Sequence, residues 1–303
     1  MTHTTRQDAR SMHAEPRSLT ERLAQFPVRI VAAAHHRIAI REAGAPNAAL
    51  AGPAAIAAPM ALVLLHGIGS GSSSWLYQFE QLGQQVHTIA WDAPGYGDSA
   101  LLDRDRPDAP AFAAALAALV DTLGLSRFVL VAQSLGAIIA TAYAVQHPER
   151  VAALRLLSPA GGYGRADATE RDTKLRARLE SFDALGAAGF ARERAANLLS
   201  PDASSEALEL VRHAMSSLRG DGHTHAAHLL AQSDLATDAR RYRAPVLIAS
   251  GSADRITPET GCRAVAGAFI QGSYQSLGAI GHASYVESPA VVNALIEAAI
   301  QSC

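Results

Sequence analysis

The chain has 303 residues, 49% of them hydrophobic and 18% charged, and a formal net charge of −2. That length allows one large α/β domain or a core with a smaller appended unit, and the charge leaves no electrostatic footprint for nucleic acid. No run approaches the ~18 consecutive apolar residues of a membrane span.

From Met1 to Arg29 the sequence mixes Arg, Asp, His and Glu and lacks the apolar core of a secretory signal. A cytoplasmic protein is therefore expected, with residues 1–27 as a poorly ordered amino-terminal arm. Val28 to Ala39 alternates loosely, as edge strands do, and Gly44 to Pro59 is rich in Ala and Pro without helical periodicity, which reads as a surface loop. Ala61–Leu65 is a continuous apolar strand ending at His66-Gly67. A helix then starts around Ser73 to Trp75, followed by the strand His87–Trp91 and the turn from Asp92 to Gly97. Ala111 to Leu123 reads as a helix and Phe128–Val131 as a short buried strand. A second apolar run from Ala137 through Ala144 reads as a buried helix that stops near His147-Pro148. Val151–Leu157 is a further strand.

The alternation then breaks. From about Gly161 to Arg243 no buried strand is legible, only amphipathic runs around Arg176–Leu185, Ala191–Leu199, Glu206–Ser217 and Ala226–Leu235. It resumes with the strand Val246–Ser250, a helix around Pro258–Phe269, a short strand near Tyr274 and a last helix from Pro289 to Ile300. Alternating strands and helices predict a mostly parallel sheet covered on both faces. A late all-helical insertion predicts a cap over the carboxyl ends of the strands, where open α/β sheets bind ligands. The expected division is a core of residues 28–160 and 244–303 and a helical cap of 161–243.

Chemistry enters at Ala132-Gln133-Ser134-Leu135-Gly136, a serine among small residues where a buried strand passes into a buried helix. A nucleophile elbow has the pattern G-x-S-x-G at such a junction, and here Ala132 occupies the first position. A serine hydroxyl is a weak nucleophile at neutral pH and needs a histidine base oriented by a carboxylate. Downstream, Asp254 lies in the loop after Val246–Ser250, and His282 lies in Gly281-His282 before the final helix. The order serine, acid, histidine is the one that the elbow arrangement requires.

With His66-Gly67-Ile68-Gly69, Asp92-Ala93-Pro94-Gly95-Tyr96-Gly97-Asp98-Ser99, the elbow, Gly251…Asp254 and Gly281-His282 in register, the chain resembles the α/β-hydrolase superfamily from about Val28 onward. The resemblance implies the α/β-hydrolase fold, a Ser134–His282–Asp254 triad, and an oxyanion hole from the backbone N–H groups of Leu135 and Ile68. It implies no cofactor and no metal.

Other residues have plainer readings. His66 shapes the oxyanion loop, Asp92 and Asp98 cap a Pro-Gly turn, and Glu287 supports the entry of the last helix. His213, His223, His225 and His228, with Asp221 nearby, raise a metal hypothesis against solvated or pocket-lining histidines, and the latter reading is preferred. Cys262 and Cys303 sit in no nucleophile motif. Arg165, Arg192 and Arg219 are candidates for clamping an acidic substrate, against surface roles.

Serine at the elbow argues against the haloalkane dehalogenases, whose nucleophile is aspartate. The meta-cleavage C–C hydrolases commonly carry tryptophan after the catalytic histidine, where this chain has Ala283. The tail Gly-His-x-x-x-x-Glu-x-Pro resembles the enol-lactonase and small carboxylesterase branches. The expected reaction is hydrolysis of a small carboxylic ester or lactone through an acyl-enzyme. The alternatives are C–C cleavage of vinylogous diketones, acyl transfer or perhydrolysis, and a non-catalytic receptor. A small-molecule substrate is the expected partner, with no nucleic acid or membrane partner and with homo-oligomerisation open.

Overall fold

The computed structural model describes residues 17–44 and 60–303. The expected loop from Gly44 to Pro59 therefore lies outside the described residues apart from Gly44, as do residues 1–16 of the expected arm.

Eight strands form one sheet: β1 (Arg29–Ala33), β2 (His36–Ala43), β3 (Ala61–Leu65), β4 (His87–Trp91), β5 (Phe128–Gln133), β6 (Val151–Leu157), β7 (Val246–Ser250) and β8 (Gly272–Ser276). Their spatial order is β1-β2-β4-β3-β5-β6-β7-β8. β2 runs antiparallel to β1 and β4, and every later pairing is parallel. The alternation read from the sequence thus produces the mostly parallel sheet it predicts. All residues of β3, β4 and β5 are buried, as continuous apolar strands must be when helices cover both faces. After β3 the chain turns to one side for β4 and returns past β3 to place β5 on the other side. The loops leaving β3 and β5 therefore open at the switch point of the sheet, where a crevice forms.

The helices are α1 (Leu19–Leu23), α2 (Leu76–Leu82), α3 (Ala109–Thr122), α4 (Leu135–Gln146), α5 (Ala168–Arg194), α6 (Ser205–Ser216), α7 (Gly220–Gln232), α8 (Leu235–Ala239), α9 (Glu259–Ala268), α10 (Ser284–Glu287) and α11 (Pro289–Gln301). Two rows cover the sheet. One joins α3 to α4 and continues through α8 to α9; the other joins α2 to α11. Between β6 and β7 the chain is helical without a strand, and α5 packs on both α6 and α7. α5 is bent at Gly186, whose φ of 61° and ψ of 173° interrupt the helical path. The sequence-based runs Arg176–Leu185 and Ala191–Leu199 fall on either side of that bend.

One expectation needs correction. Within the expected arm, residues 17–27 are ordered structure. Ser18 and Glu21 form a capping box over α1, and Leu19 and Leu23 are buried. Arg22 makes a two-pronged ion pair with Glu80 at 2.6 and 2.7 Å and also meets Glu206, tying α1 to α2 and α6. The signal was present as S-x-x-E at residues 18–21, hidden by the charged residues around it. No helix among the described residues is long and apolar enough to cross a membrane.

Candidate active site

β5 delivers Ser134 directly to the amino-terminus of α4. At that junction Ser134 has φ 51° and ψ −115°, a left-handed conformation that costs a non-glycine residue about 1–3 kcal/mol. Three backbone hydrogen bonds hold it there: the Ser134 N–H donates to the Leu157 carbonyl (3.0 Å), and the Ser134 carbonyl accepts from Ala137 (3.0 Å) and Ala160 (3.1 Å). Two neighbouring glycines have no room for a side chain. A Cβ on Gly67 would lie 2.9 Å from the Ser134 Cβ, and one on Gly136 would lie 2.7 Å from the Leu65 carbonyl oxygen. The methyl group of Ala132, by contrast, is fully buried between β3 and β6.

Asp254 and His282 arrive from the loops after β7 and β8. His282 Nδ1 lies 2.9 Å from Asp254 Oδ2. The other carboxylate oxygen accepts the backbone N–H groups of Ile256 (2.8 Å) and Thr257 (2.9 Å). Thr257 Oγ1 lies 2.9 Å from Asp254 Oδ2, 3.2 Å from His282 Nδ1 and 3.1 Å from the Ser158 carbonyl. Burial pushes the Asp254 carboxyl up, but the His282 ring and the Thr257 N–H outweigh it and hold the group below the usual carboxylate range. With Nδ1 engaged, Nε2 of His282 has no protein partner among the described residues, and no hydrogen bond joins it to Ser134 Oγ. In the absence of substrate such a bond is often long or poorly aligned.

The loop after β3 completes the floor. His66 donates and accepts in a fixed pattern: Nδ1 meets the Gly67 carbonyl at 2.8 Å, and Nε2 accepts the Ala93 N–H at 3.0 Å. That pattern requires the neutral ring, and burial keeps its pKa below the usual imidazole value despite Asp92 nearby. Tyr96 packs against His66 with the rings tilted by 60°, and donates its hydroxyl to the Ile68 carbonyl at 3.0 Å. Asp92 is spent on the backbone and side chain of Ser72 (2.7 and 3.0 Å), and Asp98 is exposed. Neither the Ile68 nor the Leu135 N–H meets a protein acceptor among the described residues. Glu287 accepts the N–H groups of Gly281 (3.0 Å) and Ser200 (2.9 Å), binding the His282 loop to the helical segment.

Ser134, His282, Ile68 and Leu135 all line one cavity of about 570 Å³ between the strand ends and the helical segment, while Asp254 stands behind His282 and is buried. None of Arg165, Arg192 and Arg219 lines it. Arg165 pairs with Asp234 (2.6 Å) and Arg219 with Asp221 (2.7 Å), while Arg192 belongs to a separate surface depression. The cations that do line the cavity are Lys174, Arg178 and Arg194, all from α5. Sequence reasoning missed them because α5 is charged all round and its inward face is not marked by an apolar stripe. The only sequence signal is the four-residue spacing of Lys174 and Arg178, which places those two on one helix face; Arg194 lies beyond the bend at Gly186.

The four histidines of the helical segment do not converge on a metal site: among the described residues no group of three or more His, Cys, Asp or Glu side chains is placed to hold an ion. His223 is buried, stacked on Phe182 (4.4 Å between centroids) with Phe190 edge-on at 5.5 Å. Cys262 is buried beneath the Asp254 loop and donates to the Thr257 carbonyl at 3.3 Å.

Comparison with known proteins places this geometry in a family. Among curated relatives, a 2-hydroxy-6-oxononadienedioate/2-hydroxy-6-oxononatrienedioate hydrolase of Burkholderia vietnamiensis is 41% identical over 112 residues, 34% of this chain and 37% of that protein. The chain spans well under half the length of the curated relatives it matches. Similar solved structures include a thermophilic esterase from Thermogutta terrifontis (TM-score 0.76, 23% identity, 91% of this chain and 98% of that one). An enol-lactonase from Burkholderia xenovorans is similar as well (TM-score 0.73, 20% identity, 90% and 100%). At those identities the likeness is one of fold. A family model for the alpha/beta hydrolase fold matches residues 61–289, three quarters of the sequence, and the chain therefore belongs to the α/β-hydrolase fold family.

Proposed function

We propose that the protein is a serine hydrolase that cleaves a small carboxylic ester or lactone through an acyl-enzyme. The observation that carries this reading is the hydrogen-bonded Asp254–His282 pair opening on the same cavity as Ser134 and the unengaged N–H groups of Ile68 and Leu135. In the proposed cycle His282 Nε2 takes the Ser134 proton as Oγ attacks the carbonyl carbon, and Asp254 stabilises the imidazolium. The Ile68 and Leu135 N–H groups receive the charge that develops on the substrate oxygen, each contributing about 3 kcal/mol there. His282 gives the proton to the departing alkoxide, then takes one from a water that attacks the acyl carbon, and returns it to Ser134 Oγ as the acyl–Oγ bond breaks and the acid leaves. In this reading residues 161–243 act as a cap that shapes the cavity over Ser134.

The test is a panel of p-nitrophenyl esters under pre-steady-state conditions. A burst of p-nitrophenol equal to the enzyme concentration, absent in Ser134→Ala, is the expected result. Turnover that survives Ser134→Ala would sink the assignment.

The relative from Burkholderia vietnamiensis favours a second reading, because that protein hydrolyses a 2-hydroxy-6-oxo diene, the enol of a vinylogous diketone. The same three side chains suit cleavage of the carbon–carbon bond in such a compound. Loss of the dienolate absorbance, with no ester in the panel turned over, would select it. Acyl transfer would show as product partitioning to an added alcohol.

A further inference from the structure

The cavity wall is electrically one-sided. Lys174, Arg178 and Arg194 line it together with His282, and among the described residues no aspartate or glutamate does, in a chain whose net charge is −2. The three cations are not equivalent. Lys174 is exposed, pairs with Glu170 at 2.8 Å and lies over the Tyr163 ring at 4.4 Å. Arg194 is exposed and donates to Ser181 Oγ at 3.2 Å. Arg178 is half-buried and has no carboxylate, hydroxyl or carbonyl partner among the described residues. A half-buried guanidinium carries five donors in a planar fork, and leaving them unengaged is costly unless a ligand or water meets them.

The direction in which Arg178 faces is marked by its neighbours. On the same helix Phe182 stacks on the buried His223, and Phe190 meets that ring edge-on. Phe190 itself lines the cavity. Arg178 itself lines the same cavity as Ser134, Ile68 and Leu135, on the side that α5 supplies.

We infer that Arg178 is an anion subsite, and that the substrate is an ester or lactone carrying a free carboxylate remote from the scissile carbonyl. This rests on the proposed hydrolase reading and adds the substrate class. A carboxylate matches the guanidinium fork with two parallel hydrogen bonds, which an ammonium cannot reproduce. Lys174 and Arg194, at the more exposed part of the same helix, add long-range attraction for an anion entering the cavity.

The test compares a mono-p-nitrophenyl ester of glutaric acid with its neutral methyl diester counterpart. The wild-type protein is expected to favour the anionic ester in kcat/KM. In Arg178→Met the anionic-to-neutral ratio should fall about 10- to 100-fold, the range for losing hydrogen bonds to a charged group. Arg178→Lys should recover part of it, and Arg165→Met, whose cation pairs outside the cavity, should keep the wild-type ratio. A ratio unchanged in Arg178→Met, or equally reduced in Arg165→Met, overturns the subsite. Calorimetric titration of glutarate into Ser134→Ala, with and without Arg178→Met, reads the subsite without catalysis. Binding lost only in the double variant supports the subsite even if no ester is turned over, whereas esterase activity with no glutarate binding and no ratio change rejects it alone.

Discussion

The two walls of the cavity are built on different terms. The wall made by the strand ends is fixed many times over: Ser134 is held at a left-handed φ by three backbone hydrogen bonds, Asp254 by four donors, and His66 by partners on both ring nitrogens. The wall made by α5 carries charges on one bent helix, where Lys174 and Arg194 hold only local partners on or beside that helix. Reaction chemistry tolerates little displacement, since misplacing a catalytic group by about 1 Å can cost ~100-fold in rate. Recognition of a substrate's far end tolerates more. In the proposed function the division of labour is that the sheet side carries what the reaction needs and the helical side what chooses the substrate.

The contrast breaks most visibly at Ser134. Ser134→Ala should lower ester turnover by roughly 10⁵-fold or more while leaving the circular dichroism spectrum and cooperative melting intact. Asp254→Asn should lower it by about 10⁴-fold, because the His282 ring loses the partner that fixes its tautomer. A fall in both kcat and melting cooperativity in either variant would mean a folding defect instead.

Smaller effects probe the helical side. Burial pushes His223 down to about 4 from 6.5. In that window the unfolded chain takes up a proton that the folded chain does not, so stability falls as pH drops from 6.5 towards 4 and is fully present above 6.5. The difference amounts to about 3 kcal/mol at the acid end. His223→Phe keeps the stack on Phe182 and removes the titration, so its Tm should fall less between pH 7.5 and 4.5, by several degrees. An identical pH dependence in the variant would contradict the buried, neutral ring. Smallest is Glu287→Gln, which keeps an acceptor for Gly281 and Ser200 but loses its charge. A loss of about 1 kcal/mol in chemical denaturation is expected, with a several-fold reduction in kcat if the His282 loop loosens.

The same contrast explains what could be read from the sequence. Strands β3, β4, β6 and β7 match the runs read from the sequence residue for residue, because strands covered by helices are mainly apolar along their length. Ser134, Asp254 and His282 were legible because each stands at the end of such a strand or in a loop with a fixed motif. The α1 helix was not, since five residues between charged neighbours carry little periodicity. On α5 the failure was more instructive. Residue type alone points to Arg165, Arg192 and Arg219, whereas Arg178 lines the cavity because α5 packs against α6 and α7, which spacing within one charged helix does not encode.

Covalent labelling tests the central claim most directly. The intact protein is mixed with a p-nitrophenyl ester, quenched in acid within the burst, and its peptides are examined by mass spectrometry. A single acyl adduct on Ser134 is expected, absent in Ser134→Ala and formed far more slowly in His282→Ala. An adduct on another residue, or undiminished ester turnover in Ser134→Ala, would contradict it.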